Sequence, residues 1–324
     1  MARTTGPHPC LPPEGEGAGP NLRDGLVISA HGRHCVVETP AGQQLICHPR
    51  GKKLAVVVGD RVRWLPSHDE GVIEHVEPRR NLLYRQDEVR VKSFAANLDQ
   101  ALILIAAEPE FSERQLARAL LACEAAGIRP LIALNKADLA EPFERAWSRL
   151  APYRAMGYAV LGLAAKPRMA IATAPAIETL DALARRLHGH TTLILGPSGA
   201  GKSTLINRLA PGAAARTGEI SQALNSGRHT TTSTTWYWLD AERQSALIDS
   251  PGFQEFGLRH LDPAQLAAWM PDIKPHVAAC RFYNCTHLHE PGCGVIAAVA
   301  SAPGAGQISA SRYKIYCDLM RELQ

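Results

Sequence analysis

The sequence predicts a multidomain chain with an all-β barrel at its amino end, a central α/β domain built on a parallel sheet, and a mainly helical carboxyl end. Three observations carry this prediction. Short apolar segments separated by turn signals fill residues 24–87, strand-length apolar runs then alternate with helical stretches, and three of the 8 cysteines crowd between Cys280 and Cys293. The 324 residues suffice for two or three domains at roughly 100–200 residues each.

Gly25–Ile28, His34–Glu38, Gln43–Cys47 and Arg61–Leu65 are strand-length segments set between turn residues, the spacing of a small antiparallel barrel. The first twenty residues have neither a basic start nor an apolar h-region and are rich in Gly, Pro and Glu. Residues 1–21 therefore read as a disordered, unexported tail. The greasiest run, Ala101–Ala107, has the length of a buried strand, well short of the ~18 residues that cross a bilayer. A soluble protein is expected, and a net charge of +4 permits a polyanionic partner without requiring one.

The central domain opens on the apolar run Leu102–Ala106. Ser112 caps a helix reaching Ile128, Gln115 completes a capping box, and Gly127 marks the helix end. Apolar runs at Pro130–Leu134, Tyr158–Leu163 and Thr191–Leu195, with a helical stretch near Pro142–Ala155, continue the alternation that defines a parallel sheet.

Directly after the run ending at Leu195, Gly196-Pro197-Ser198-Gly199-Ala200-Gly201-Lys202-Ser203-Thr204 satisfies G-x-x-x-x-G-K-[ST], and Leu205–Leu209 continues as a helix. The glycines let successive backbone N–H groups curl around a β-phosphate at the helix N-terminus. Lys202 reaches the β- and γ-oxygens, and Ser203 is placed to ligate Mg²⁺.

Asn135-Lys136-Ala137-Asp138 follows the strand Pro130–Leu134 and matches N-K-x-D, a guanine-binding signature. Asp138 can accept from the ring N–H and the amino group of guanine, a pair of donors that adenine lacks. Asn135 can hold the loop, and the Lys136 stem can pack across the base. In ordinary GTPases the phosphate loop precedes N-K-x-D, and here the order is reversed. A circular permutation explains this, since domain termini often lie close together.

Asp249-Ser250-Pro251-Gly252, after the strand Ala246–Ile248, matches D-x-x-G, with Asp249 acting on Mg²⁺ through water and the Gly252 N–H meeting the γ-phosphate. The polar segment between the two phosphate motifs, residues 213–235, suits a switch loop. Within it Thr230 or Thr231, of which Thr231 is preferred, can bring a hydroxyl to Mg²⁺. Phe253 cannot orient an attacking water, so His229 is the first candidate for that task and Gln254 the second. Slow unassisted turnover follows.

Cys280, Cys285 and Cys293, with His287 or His289, offer three thiolates and an imidazole in one short segment. That is a closed, structural set for one Zn²⁺.

The permuted order, Gly227-Arg228-His229-Thr230-Thr231-Thr232, Asp249-Ser250-Pro251-Gly252-Phe253 and C-x4-C-x-H-x5-C together resemble the small-ribosomal-subunit-dependent GTPase A family of ribosome-biogenesis factors. The resemblance extends to Val58–Val62, to Arg79–Arg85, and to Arg312 and Tyr316. It implies an amino-terminal OB-fold at residues 22–90, a circularly permuted P-loop GTPase domain at 91–257, and a zinc-binding helical domain at 258–324 whose fourth ligand is His287. It further implies a cytoplasmic, monomeric factor that binds GTP and GDP, engages the immature small (30S) subunit and its rRNA late in assembly, hydrolyses GTP faster there, and then leaves. Arg50, Lys52, Lys53, Arg61, Arg63, Arg79, Arg80 and Arg85 are the candidate RNA contacts on the barrel side. One departure is visible. Where the family's last guanine motif reads Ser-Ala this chain has Ala164-Ala165-Lys166, so Ala165 is expected to meet the base through its backbone N–H.

Overall fold

The structure, a computed structural model, describes residues 21–31, 34–51, 54–67, 70–89, 91–166, 177–211, 213, 234–252, 256–300 and 308–324. Strands β1 (Arg23–His31), β2 (His34–Glu38), β3 (Gln44–Pro49), β4 (Arg61–Ser67) and β5 (Glu70–Val76) lie in the order β1-β2-β3-β5-β4, and β4 returns to pair with β1. That return closes a five-stranded barrel in which only β3 and β5 run parallel. Alternate residues point inward, so Val27, Val37, Cys47, Val62, Trp64 and Ile73 form a compact core. Arg79 fixes the barrel mouth by donating to both carboxylate oxygens of the fully buried Asp60 at 2.7 and 2.8 Å.

Strands β6 (Leu82–Gln86) and β7 (Val91–Ala96) form a separate antiparallel hairpin. The central sheet follows with β8 (Gln100–Ala106), β9 (Arg129–Asn135), β10 (Ala159–Gly162), β11 (Thr191–Leu195), β12 (Thr234–Trp238) and β13 (Ala246–Asp249), ordered β10-β9-β8-β11-β13-β12. All are parallel except β12, which runs antiparallel to β13. Helices cover both faces, so the strands are apolar on both sides. Ile103 and Ile105 share a core with α1 (Glu113–Ala125), α2 (Ala140–Arg149), α3 (Ala151–Ala155) and the carboxyl segment, whereas Leu102 and Leu104 face α4 (Leu180–Leu187) and α5 (Lys202–Leu209).

Ser112 caps α1 by accepting from the Gln115 N–H, as its spacing predicts. The expected helical stretch at 142–155 is two helices that part at Leu150, with Pro152 in the first turn of the second. Pro fits there because a first-turn N–H has no helical partner to lose. β12 also pairs antiparallel with β1, through Ser29 opposite Thr235 and Ala30 opposite Thr234, so the barrel and the central domain share one eleven-stranded sheet.

The carboxyl segment holds a 3₁₀ helix (Pro263–Trp269), two short helices (Lys274–Val277 and Gly294–Ala300) and a terminal helix (Ala310–Leu323) capped by Ser309. Two buried arginines weld it to the central domain. Arg312 donates to both oxygens of Asp272 at 2.8 and 3.0 Å and lies over the Tyr153 ring. Arg118 of α1 binds Glu322 at 2.7 Å and also donates to the Phe256 carbonyl at 2.6 Å. No described helix is long and apolar enough to cross a membrane.

Candidate functional site

Loops at the carboxyl ends of β9, β10, β11 and β13 converge on one cleft of about 1260 Å³, where open parallel sheets present their ligands. The two nucleotide motifs, widely separated and in reversed order along the chain, therefore face each other. Asn135, Lys136 and Asp138 line one part of the cleft. Ser198, Gly199, Gly201–Thr204 and Asp249–Gly252 line the other.

The phosphate loop depends on two close approaches. Gly201 has φ +98, and a Cβ there would stand 2.4 Å from Asn135 Nδ2, so only glycine admits this contact. A Cβ on Gly252 would come 3.1 Å from Lys202 Nζ, so the D-x-x-G turn lies against the lysine of the phosphate-loop motif. Lys202 donates to the Gly196 and Pro197 carbonyls at 2.8 and 3.0 Å. Burial pushes its amine below the usual lysine range, the Asp249 carboxylate opposing. Burial likewise pushes the Asp249 carboxyl up to about 6, with Lys202 pulling the other way. Partial burial thus makes charge costly on both groups. Ser250 steadies the turn by donating to the Ile194 carbonyl at 2.6 Å.

Asn135, 3 % exposed, joins three loops. Its Nδ2 donates to the Ala200 carbonyl at 2.9 Å and its Oδ1 accepts from the Ala165 N–H at 3.0 Å. The Ala165 N–H, expected at the base, is thus directed to Asn135, and Arg208 holds the same residue from behind by donating to its carbonyl at 2.9 Å. Ala165 and Lys166 both line the cleft. Ala137 is buried, its N–H donating to the Leu163 carbonyl, and Lys136 (φ +69) reaches the Glu108 carbonyl. Pro197 and Ala200 complete the phosphate-loop backbone.

Sequence reasoning missed Asp87 and Lys92, which line the cleft from the β6–β7 hairpin, and read Arg85 only as an RNA contact. The strand pairing that brings them there leaves no short motif. Of the other basic residues, Arg50, Arg63, Arg79 and Arg80 are engaged by Glu74, by Asp24 and Glu77, by Asp60 and by Asp99. Lys52, Lys53, His229, Thr230, Thr231, Phe253 and Gln254 lie outside the described residues.

A second site lies in the carboxyl segment. One ligand atom each from Cys280, Cys285, His287 and Cys293 falls within 4.8 Å of the others, so the group could hold a metal ion. The Cys280–Cys293 Sγ separation is 3.9 Å, and His287 Nδ1 lies 3.4 and 3.5 Å from those sulfurs. A tetrahedron with zinc-length bonds has S–S edges of roughly 3.8 Å and S–N edges of roughly 3.6 Å, so the donor set fits. His287 is buried with φ +61, whereas His289 is exposed and outside the group. Tyr313 and Tyr316 donate to the His287 and Thr286 carbonyls, and the Glu290 carboxylate accepts from the Thr286, Leu288 and His289 N–H groups.

Comparison with known proteins agrees with this geometry. A family model described as RsgA GTPase matches residues 76–259, more than half of the chain. A protein of Variovorax paradoxus (strain S110) named small ribosomal subunit biogenesis GTPase RsgA is 67% identical over 311 residues, spanning 95% of this chain and 96% of its own. One of the same name from Paraburkholderia xenovorans (strain LB400) is 52% identical over 92% of each. Among solved structures, YjeQ from Thermotoga maritima matches with a TM-score of 0.67 at 29% identity, over 93% of this chain and 98% of that one. YloQ, described as a circularly permuted GTPase, matches with a TM-score of 0.65 at 25% identity, over 95% and 98%. With a relative this similar along almost its whole length, and with the permuted motifs meeting in one cleft, the chain belongs to the RsgA GTPase family.

Proposed function

We propose that the protein hydrolyses GTP to GDP and phosphate as a late-stage assembly factor of the small (30S) ribosomal subunit, with hydrolysis stimulated by the subunit and coupled to release. The observation that carries this is the Asn135 carboxamide, which ties the N-K-x-D loop to the phosphate loop and so sets both motifs on one cleft. The names of the relatives, small ribosomal subunit biogenesis GTPase, support the partner.

Asp138 selects guanine, Asn135 and Ala165 order the base loop, and Lys136 covers the ring. Backbone N–H groups of residues 196–204 and the Lys202 ammonium hold the β- and γ-phosphates. Ser203, exposed in the cleft, and Thr231 would ligate Mg²⁺, and Asp249 would hold its water shell. Bound there, Mg²⁺ supplies charge neutralisation at the β- and γ-oxygens. The Gly252 N–H senses the γ-phosphate, and His229 positions the attacking water. Cys280, Cys285, His287 and Cys293 hold one structural Zn²⁺. The chain divides into a tail (1–21), an OB-fold RNA-binding domain (22–90), the permuted GTPase domain (91–257) and the zinc-binding helical domain (258–324), and acts in the cytoplasm as a monomer.

Steady-state hydrolysis by the zinc-loaded protein, with and without purified small subunits, tests the proposal, with large subunits and ATP as controls. Stimulation by small subunits alone supports it. Negligible turnover in every condition leaves a nucleotide-binding scaffold instead.

A further inference from the structure

The β6–β7 hairpin brings to the nucleotide cleft two cations that neither phosphate motif accounts for. Arg85 and Lys92 are direct cross-strand partners, and both line the cleft together with Lys202, Asp249 and Gly252. Like charges set opposite each other on an antiparallel pair destabilise it. An anion seated in the cleft between the two groups would meet both of them. Burial, and next the Arg85 guanidinium, push the Lys92 ammonium below its ordinary range. Of the nearby carboxylates, Glu88 pairs with Arg259, while Asp87 shares the cleft wall.

The strand carrying Arg85 is stitched to the chain that follows the D-x-x-G turn. The Gln86 N–H donates to the Gly257 carbonyl and the Arg259 N–H to the Gln86 carbonyl, each at 3.1 Å. Phe94 of β7 stacks on Phe256 with ring centroids 5.6 Å apart. A Cβ on Gly257 would stand 2.4 Å from the Gln86 carbonyl oxygen, so a side chain at 257 would force the two strands of backbone apart. The hairpin is thus tied to the chain that directly follows the D-x-x-G turn.

We propose that Arg85 and Lys92 form an internal cation pair for the terminal phosphate of the bound nucleoside triphosphate. This rests on the GTP-hydrolase reading above and adds two groups to it. Water adds to the γ-phosphorus, the bond from that phosphorus to the β–γ bridging oxygen breaks, GDP departs with the electron pair, and a proton of the water passes to an oxygen of the released phosphate. The two cations transfer no proton. They neutralise charge on the γ-oxygens and the leaving oxygen, a task for which many nucleotide hydrolases use an arginine.

The test compares the full-length, zinc-loaded wild type with Arg85→Ala, Lys92→Ala, the double variant, and the conservative Arg85→Lys. Fluorescent-nucleotide titration gives affinities for GDP, for a β,γ-imido GTP analogue, and for GDP with aluminium fluoride. Single-turnover assays give the hydrolysis rate. GDP affinity should stay within about twofold, which also certifies the fold, while the double variant loses on the order of 10²-fold in hydrolysis and in the aluminium fluoride gain. Arg85→Lys should recover part of that loss. Unchanged hydrolysis and analogue binding in the double variant overturn the cation pair alone, as does a parallel fall in GDP and analogue affinity, which marks a merely structural role. A wild type that binds no guanine nucleotide overturns the GTP-hydrolase reading and the pair with it.

Discussion

Replacing Asn135 by alanine asks whether the base loop and the phosphate loop are one unit. The carboxamide donates to the Ala200 carbonyl at 2.9 Å and accepts from the Ala165 N–H at 3.0 Å. Ala200 and Ala165 are themselves 1% and 2% exposed, so truncation strands a buried acceptor and a buried donor at once. Each such group costs about 1–3 kcal/mol, which gives roughly 2–6 kcal/mol for the pair, the low end applying where water enters the vacated space. Urea titration of the nucleotide-free protein should show the midpoint falling at unchanged slope. GDP affinity should fall at least about tenfold, since about 1.4 kcal/mol of lost loop order suffices for that. A stability change under about 0.5 kcal/mol, with GDP affinity held within about threefold, would refute the reasoning.

Other consequences are as direct. The Asp249 carboxyl titrates at about 6 in the fold against 3.8 unperturbed, so the fold favours its protonated form. The stability from that preference is full below the lower value and is lost as pH rises through the higher one, about 3 kcal/mol in all. Asp249→Asn should flatten this part of the urea midpoint's pH profile, stabilise the nucleotide-free protein at neutral pH and abolish magnesium-dependent hydrolysis; a profile like the wild type's contradicts the burial argument. Freshly purified protein should carry one zinc per chain by elemental analysis, and chelation should open residues 280–293 to protease; protein isolated without metal and equally resistant sinks the zinc assignment. Arg312→Met leaves the largely covered Asp272 carboxylate unpaired and should cost about 3 kcal/mol in urea titration, most of it recovered by Arg312→Met with Asp272→Leu. A double variant as unstable as the single one would show that the ion pair is not the cause.

What was legible in the sequence was what a short stretch of backbone must do locally. The phosphate loop needs glycines at fixed offsets, and Gly201 at φ +98 against Asn135 shows why. The cap at Ser112, the strand Thr191–Leu195 and the three cysteine donors were legible for the same reason. Residues that meet only through tertiary pairing left no such trace. Arg312 and Asp272 lie 40 positions apart, and the barrel closes through β1 and β4. Arg85 reached the cleft because a bulge-bearing hairpin sets it opposite Lys92. The choice of His287 over His289 rests on a backbone turn that places one imidazole inward and leaves its neighbour in solvent.

The seam between β1 and β12 also sets an order of events during synthesis. Ser29 and Thr235 are partners, yet at about 5–20 residues per second roughly two hundred residues of translation keep them apart for 10 to 40 s. The five barrel strands are all complete by Val76, so the barrel can close while its future neighbour is still unmade. During that wait the Ser29–Ala30 edge stands open, the kind of edge on which nascent chains pair wrongly. The hazard is confined to two residues, one of them with its hydroxyl already bound to His31 at 2.7 Å. The barrel is finished early and sealed late, and what seals it is the half of the protein that handles nucleotide.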